Sequence, residues 1–441
     1  MLTPVQSGPE PARSDYPVSR AHSWFTFVIL FLLMIFDYVD RNVVVSMFPF
    51  IKAAWGLSDT QLGSIASIVP LMVGILSVPA AVLVDRWSRV NSILLMGLLW
   101  GLATVSCMLA STYAILLAFR AIIGIGEAGY GNAGSALLAH HFPPNRRSTV
   151  VGGFYFANSL GSLLGIVLGG IISARWGWQA GFGIVGIPGL IIALFVLLIR
   201  DYPTVPLAKS PNAFAVLKSS AKQLFQPRTA IPTYLGSGLL LFVALAVYSW
   251  MPTYFVRNYG LDGAAAGIKA APVVLAGAFG GLFWAYVADR LAARAPARKL
   301  LVAAGCAVGT SFVFFPTFMW VPPGTNQFLL IVLGSFLMVA VAGITTAVAM
   351  DIVHPGLRST AVSVVTLANN ILGLGGGPFT VGLLSDAYGL TTALALGSLA
   401  ALPAAFLLAV ASRTYADDRS AAAEVIEPAR EEPPLVAASM A

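Results

Sequence analysis

Long apolar stretches, separated by short segments rich in proline, glycine or charge, occupy most of the chain. Each stretch is close to the ~20 residues that a helix needs to cross a ~30 Å hydrocarbon layer. The pattern therefore predicts an all-α membrane protein with twelve transmembrane helices. These spans are expected near residues 24–48, 60–84, 91–111, 113–140, 148–173, 178–199, 230–256, 264–288, 299–319, 326–350, 358–384 and 391–411.

The composition agrees with a membrane protein. Of 441 residues, 58% are hydrophobic and only 10% are charged, whereas about 25% are charged in a soluble domain. The net charge of +7 does not indicate a nucleic-acid partner, because the lysines and arginines concentrate in the two tails and in alternate loops. This bias predicts that both termini are cytoplasmic. The absence of Asn-x-Ser/Thr sequons favours a bacterial inner membrane.

The chain divides into two related halves. We expect a cytoplasmic tail over 1–22, six-helix bundles over 23–200 and 230–411, a cytoplasmic linker over 201–229 and a disordered cytoplasmic tail over 412–441. Gly56-Leu57 recurs 204 residues later as Gly260-Leu261, and Ala157-Asn158 recurs 211 residues later as Ala368-Asn369. Further matches at the second spacing are Arg147-Ser148-Thr149 with Arg358-Ser359-Thr360, and Gly165 with Gly376. Parallel six-helix repeats are typical of secondary transporters whose substrate site lies between the halves.

One loop motif carries a family resemblance. Asp85-Arg86-Trp87-Ser88-Arg89 resembles the Gly-x-x-x-Asp-Arg-x-Gly-Arg signature of the major facilitator superfamily, with Ala81 and Ser88 where that family usually has glycine. Asp289-Arg290 is a weaker copy in the second half. The resemblance implies two pseudo-symmetric six-helix bundles and a cytoplasmic gate formed by Asp85, Arg86, Arg89, Asp289 and Arg290. The alternative is that these charges only flank tight loops.

Within that superfamily, four segments of the first half resemble the spinster branch. They are Asp37-Tyr38-Val39-Asp40-Arg41, Arg120 with Gly124-Ile125-Gly126-Glu127-Ala128, Phe154-Tyr155-Phe156-Ala157 and Gly186-Ile187-Pro188-Gly189-Leu190. The Asp-Arg and Gly-Glu-Ala elements are also similar to the anion:cation symporter branch. The spinster resemblance implies an amphiphilic, lipid-like or lysolipid-like substrate.

Charged residues inside predicted spans indicate where the chemistry lies. A charge at the centre of a spanning helix costs about 2.5–3.5 kcal/mol on insertion scales, so it is usually paired and functional. Asp37, Asp40 and Arg41 share one face of span one, and Arg120 and Glu127 share one face of span four. We expect Glu127, Asp40 and Asp37 to couple transport to protons. Arg120 and Arg41 are their expected partners, or would bind a substrate anion; the alternative is a static charge network.

The second half contains no charge at the matching depth of spans seven and ten. Span seven is instead rich in aromatic residues, which suit an apolar substrate tail or, alternatively, a lipid-facing belt. The candidate substrate-cavity residues are Asn132, Asn158, Asn369, Tyr248 and Trp250. Each asparagine could equally join two helices. Glycines in spans four and five are interpreted as surfaces for close helix packing; they are Gly124, Gly131, Gly134, Gly161, Gly165 and Gly169.

No sequence pattern indicates an enzyme. Gly124-x-Gly126-x-x-Gly129 matches a dinucleotide fingerprint in form only, since it lies mid-span and follows no strand. We expect no cofactor and no metal, with a proton gradient as the driving force, and a monomer in contact with membrane lipids. The sequence thus predicts a proton-coupled carrier of a lipid-like amphiphile. The alternatives are an organic-anion:proton symporter, a drug:proton antiporter, or a receptor or scaffold that does not transport.

Overall fold

The computed structural model describes residues 18–201, 223–293, 295–354 and 357–424, and the regular elements within them are all helical. The helices are α1 Arg20–Trp55, α2 Asp59–Arg86, α3 Arg89–Cys107, α4 Tyr113–Glu127, α5 Tyr130–His141, α6 Pro144–Trp176, α7 Trp178–Phe195 with a 3₁₀ turn Val196–Leu198, α8 Ala230–Tyr259, α9 Gly263–Ala292, α10 Arg298–Trp320, α11 Thr325–Met338, α12 Val341–Asp351, α13 Arg358–Ala368, a π-helix Asn369–Gly375, α14 Gly376–Tyr388, α15 Leu390–Ser398 and α16 Ala401–Glu424.

These elements confirm the predicted twelve spans. Spans four, ten, eleven and twelve are interrupted helices: α4 with α5, α11 with α12, α13 with α14 through the π-helix, and α15 with α16. Ten stretches of the described chain are long and apolar enough to cross a membrane. The other two spans are one, which carries several charges, and eleven, which is divided into short pieces. We use "cytoplasmic" and "outer" for the two sides that the charge distribution predicts.

The C-terminal tail begins later than predicted. Residues 412–424, expected to be disordered, continue the last helix to Glu424. The extension is held by its own half, because Tyr415 Oη donates to Asp351 at 2.6 Å and Asp418 Oδ2 accepts the backbone N–H of Thr229 at 2.8 Å. A carboxylate at the start of a helix is favourable, so Asp418 stabilises the N-terminus of α8. Most of the predicted linker, 202–222, and the tails 1–17 and 425–441 lie outside the described residues.

Two glycines end the first helix of each half in the same way. Gly56 and Gly260 both have φ of 64°, a left-handed conformation that glycine adopts without steric cost. They are the repeat mates found at the spacing of 204 residues. The equivalent turns return the chain into α2 and α9, so the first two spans of each half are arranged alike.

A glycine stripe on α6 positions α1. Gly161, Gly165 and Gly169 each lie against a backbone carbonyl of α1, those of Ile35, Val39 and Val43. A methyl group at Gly165 would lie 2.7 Å from Val39 O, too close for a carbon. Small residues thus let the two backbones pack directly, as in other membrane helix pairs. The packing interpretation of these glycines is confirmed, and it sets the position of the helix that carries Asp37, Asp40 and Arg41.

Gly165→Ala and Gly152→Ala should have opposite effects on stability. The alanine at 165 must displace α1 and should cost about 1–3 kcal/mol. Gly152 lies on the same helix with nothing within 4 Å of an added methyl, so alanine there should stabilise by up to about 1 kcal/mol. Thermal unfolding of the purified variants measures both. Equal melting temperatures would contradict the packing argument.

Candidate functional site

The charged residues of spans one and four meet inside the first half. Asp37, Asp40 and Arg41 lie on α1, and Arg120 and Glu127 lie on α4. The three acids and Arg120 are buried, whereas the Arg41 side chain keeps 12% exposure. The structure therefore brings together all five residues that the sequence singled out. Their pairing differs from the simplest expectation, in which Glu127 would face Arg120 two turns away.

Arg41 joins two acids. Its Nε lies 3.0 Å from Asp37 Oδ1 and 2.8 Å from Glu127 Oε2, so one guanidinium bridges α1 and α4. The guanidinium also lies 5.0 Å from the ring centroid of Tyr38, within the range of a cation–π contact. Because Asp37 receives a hydrogen bond from Arg41 and Glu127 has only the ion pair, Glu127 is the less satisfied of the two acids.

Arg120 pairs with Asp40 on a more deeply buried face. Its Nη1 lies 3.2 Å from both Oδ2 and the backbone oxygen of Asp40, and neither side chain is exposed. Arg120 Nε and Nη2 and Asp40 Oδ1 have no hydrogen-bond partner among the described residues. Thr104 and Cys107 of α3 lie beside the pair and close it from that side. This second pair does not face open space, so it is unsuited to contact a substrate directly in this conformation.

The two pairs together carry an uncompensated charge. Three acids and two arginines give the cluster a net charge of −1 when all five are ionised. Burying an unpaired charge costs several kcal/mol, so the cluster favours the uptake of one proton. Glu127 is the best placed to hold it, because its carboxyl group is unexposed and lacks hydrogen bonds. The arrangement can thus change its charge by one unit without a cofactor.

The helix is interrupted immediately beyond Glu127. α4 ends at this residue and α5 begins at Tyr130, with Gly129 between them. Glycines on either side of the acid provide the space: Gly124 packs against Val69 of α2, and Gly126 packs against Trp100 of α3. The acid therefore lies at a natural point of bending in span four, where a change in charge and a change in helix direction can be linked.

The candidate gate residues are only partly described. The side chains of Asp85 and Arg86 lie outside the described residues. Asp289 pairs with Lys299 at 3.1 Å, and Arg290 stacks over Tyr286 at 5.1 Å, so both contacts lie within the second half. Ser88, which replaces the usual glycine of the motif, is the N-cap of α3. Arg89 begins that helix, and the gating role of the five residues stays a prediction.

The candidate cavity residues are dispersed. Asn132 is exposed on α5, while Asn158 on α6 and Asn369 at the start of the π-helix are partly buried, each with an amide oxygen that has no partner. Tyr248 Oη lies 3.5 Å from Ser335 Oγ of α11, within the second half. Trp250 is fully buried and donates to the carbonyl of Pro378 at 3.1 Å. Trp250 is therefore wrong as a cavity residue in this conformation.

The aromatic face predicted for span seven is also wrong for most of its members. Tyr234, Tyr254 and Phe255 are buried, like Trp250. Tyr254 lies 5.4 Å from Phe318, ring to ring, and Phe255 lies 6.0 Å from Phe328, so these side chains fill the core of the second half. Aromatic content alone could not distinguish a core-facing side from a cavity-facing one, since both are apolar.

A second charged cluster, absent from the predicted site, closes the outer side. Asp59 at the start of α2 accepts hydrogen bonds from Arg257 of α8 at 2.6 and 2.7 Å, Lys52 at 2.6 Å and Ser385 of α14. Asp386 in turn accepts the backbone N–H groups of Asp59 and Thr60. We call these residues the outer lock. Lys52 and Arg257 were detectable in sequence as basic residues on the side where such residues are scarce.

The fold and its buried charges define a multi-pass membrane transporter rather than an enzyme. Comparison with known proteins gives the family: the chain matches the Major Facilitator Superfamily over residues 30–378. The chain belongs to this superfamily.

Similar proteins include spinster proteins. The chain is 25% identical to protein spinster homolog 1 of Xenopus laevis over 394 residues, 84% of this chain and 74% of that protein. It is 26% identical to a probable L-galactonate transporter of Escherichia coli (strain K12) over 357 residues, 75% of this chain and 77% of that protein. A solved bacterial homolog to the human lysosomal transporter Spinster, inward-facing and unoccupied, has a fold that matches with a TM-score of 0.82 at 24% identity, covering 91% of this chain and 99% of that one.

Breaking the Arg120–Asp40 pair from one side should be costly. Arg120→Leu or Asp40→Leu alone leaves a buried charge without a partner and should destabilise by about 3–5 kcal/mol. The double leucine variant removes both charges and should recover most of that loss. Thermal unfolding of the three variants in one detergent gives the coupling between the sites. Additive losses would show that the pair is not coupled.

Weakening the outer lock should favour opening of the outer side. Asp59→Asn removes the charge that holds Arg257 and Lys52, so the outer ends of the halves should separate more often. Spin labels at the exposed outer residues Trp176 and Tyr388 measure that separation. Asp262→Asn, an exposed outer acid that caps its own helix, is the control. An unchanged distance distribution in Asp59→Asn would contradict the gating role.

Proposed function

We propose that the protein is a proton-coupled secondary transporter that moves an amphiphilic, lipid-like or lysolipid-like substrate by alternating access. The observation that carries the proposal is the charge cluster of the first half, in which Arg41 is shared by Asp37 and Glu127. A proton on Glu127 would neutralise the cluster and leave Arg41 with Asp37 alone. Proton uptake would thereby free one side of a partly exposed guanidinium.

The freed guanidinium supplies a place for a substrate's anionic group. Arg41 is the member of the cluster with measurable exposure, and its planar donors suit a phosphate or carboxylate. Substrate and proton would then compete or cooperate through one side chain, which is the coupling that a carrier requires. The outer lock supplies the complementary element, because it holds the outer side closed while the charge state of the cluster changes.

The resemblance to spinster proteins favours a lipid-like substrate, and it extends over most of the chain. The buried aromatics of span seven withdraw one argument for an apolar cavity wall. A second candidate is therefore an organic anion, since a partly exposed arginine would bind a carboxylate and the E. coli relative is named for a sugar acid. A drug:proton antiporter has no comparable observation in its favour.

Reconstitution in liposomes with an imposed pH gradient distinguishes these functions. Uptake of a labelled lysophospholipid supports the first candidate, and uptake of a hexuronate supports the second. Binding of either compound without flux would indicate a receptor or scaffold and contradict both.

Glu127→Gln should abolish coupling while keeping exchange. The glutamine keeps the shape of the side chain but cannot release a proton, so uptake against a gradient should fall to the equilibrated level. Substrate exchange across the liposome membrane without a gradient should continue. Asp289→Asn, which alters an exposed acid, should retain coupled uptake. Coupled uptake that survives in Glu127→Gln would remove Glu127 from the role.

A further inference from the structure

The π-helix of span eleven marks an extra residue in the second half. Asn369–Gly375 forms this segment, whereas the equivalent span five is one continuous helix, Pro144–Trp176. A π-turn closes its hydrogen bonds over five residues instead of four, so it holds one residue more than an α-turn. Such turns are rare and occur frequently at functional sites.

Helix crossings on the outer side reveal the extra residue independently. Gly63 lies against Pro378 O where α2 crosses α14, and Gly267 lies against Ile166 O where α9 crosses α6. The two glycines are 204 residues apart, the spacing of the repeat, but their partners are 212 residues apart. Cytoplasmic to the π-helix, Asn158 and Asn369 are 211 residues apart.

A second contact at each crossing gives the same result. Gly382 lies against Asp59 O, and Gly170 lies against Gly263 O, with the same spacings of 212 and 204 residues. The spacing therefore changes by one between Asn369 and Pro378, where the helix is π. The structural mate of Gly165 is accordingly Gly377, which packs on Phe242 O, and the predicted match of Gly165 with Gly376 is wrong by that one residue.

The outer part of span eleven is fixed to the first half. Ser385 and Asp386 of α14 belong to the outer lock, and Gly382 packs directly on α2. Cytoplasmic to the π-helix, Ser363 and Thr366 of α13 are exposed. The π-helix therefore connects a part of the span that is bound tightly with a part that is more open.

The segment itself is built to bend. Pro378 follows it and has no N–H to donate, and Gly375-Gly376-Gly377 weakens the helix before that proline. On the side of the first half, Asn370 and Ile371 lie against Gly74, which presents no side chain to obstruct movement. Wider turns and missing hydrogen bonds are recognised causes of helix bending.

We propose that the π-helix Asn369–Gly375 is the hinge at which the cytoplasmic half of span eleven moves while the outer half stays bound to α2. The hinge rests on the proposed transport cycle, because it needs a second conformation to move toward. The extra residue gives the span a bend that span five lacks. The two halves, alike in their crossings, therefore differ in which one supplies the flexible helix.

A deletion tests the hinge. Removing Leu374 should convert the π-helix into an α-helix without rotating α14, so the outer contacts should survive and the protein should fold. Leu163 is the matched control, 211 residues earlier in a continuous α-helix. Its deletion should rotate everything beyond it by about 100°, which would displace Gly165 and Gly170 and destabilise the protein strongly.

Conformational exchange is measured by distances between spin labels in liposomes at several pH values, after Cys107 and Cys306 are replaced by alanine. Labels at Asn91 and Leu291 report the cytoplasmic side of the two halves. The native sequence should show two populations, and the Leu374 deletion should show one. Substrate flux is measured in parallel, so that a protein that changes conformation but moves no substrate contradicts the proposed function and leaves the hinge intact.

Three results would overturn the hinge. The first is two populations in the Leu374 deletion, as in the native sequence. The second is a loss of melting temperature as large as that of the Leu163 deletion, which would show that the π-helix does not hold an extra residue. The third is a single population in the native sequence at every pH.

Discussion

The need to bury five charged side chains in an apolar bundle governs the organisation of the first half. Two ion pairs solve most of the problem, but three acids against two arginines leave one negative charge. A buried net charge is tolerated only if something compensates it, and a proton is the smallest compensation available. The glycine stripe of α6 serves this arrangement, because it holds α1 at the distance where its charged face reaches α4.

The outer lock and the charge cluster are linked through the same helix. α1 carries Asp37, Asp40 and Arg41 at its middle and Lys52 near its outer end, where Lys52 pairs with Asp59. A shift of α1 in response to a change in charge would therefore act on the outer lock directly. This connection needs no chain of side chains through the bundle, since the helix itself spans the distance.

Sequence reasoning succeeded where one physical rule dominates. Hydrophobic length predicted all twelve spans, because a membrane leaves few alternatives to a helix. The cost of buried charge identified all five members of the cluster. It could not give their pairing, since Arg41 and Arg120 are chemically alike and only the rotation of α1 against α4 selects Glu127 for Arg41. Trp250 failed for a related reason, because burial in a core and exposure to an apolar cavity favour the same side chains.

The charge cluster lies wholly within the first half, whereas the second half has a core of aromatic side chains at span seven. Energy conversion and substrate choice are thus placed on separate pieces of one chain. Substitutions that alter the second half's surface leave the ion pairs untouched, so related carriers could change what they move and keep how they are driven. Relatives with differently named substrates are what such a division of labour would produce over evolutionary time.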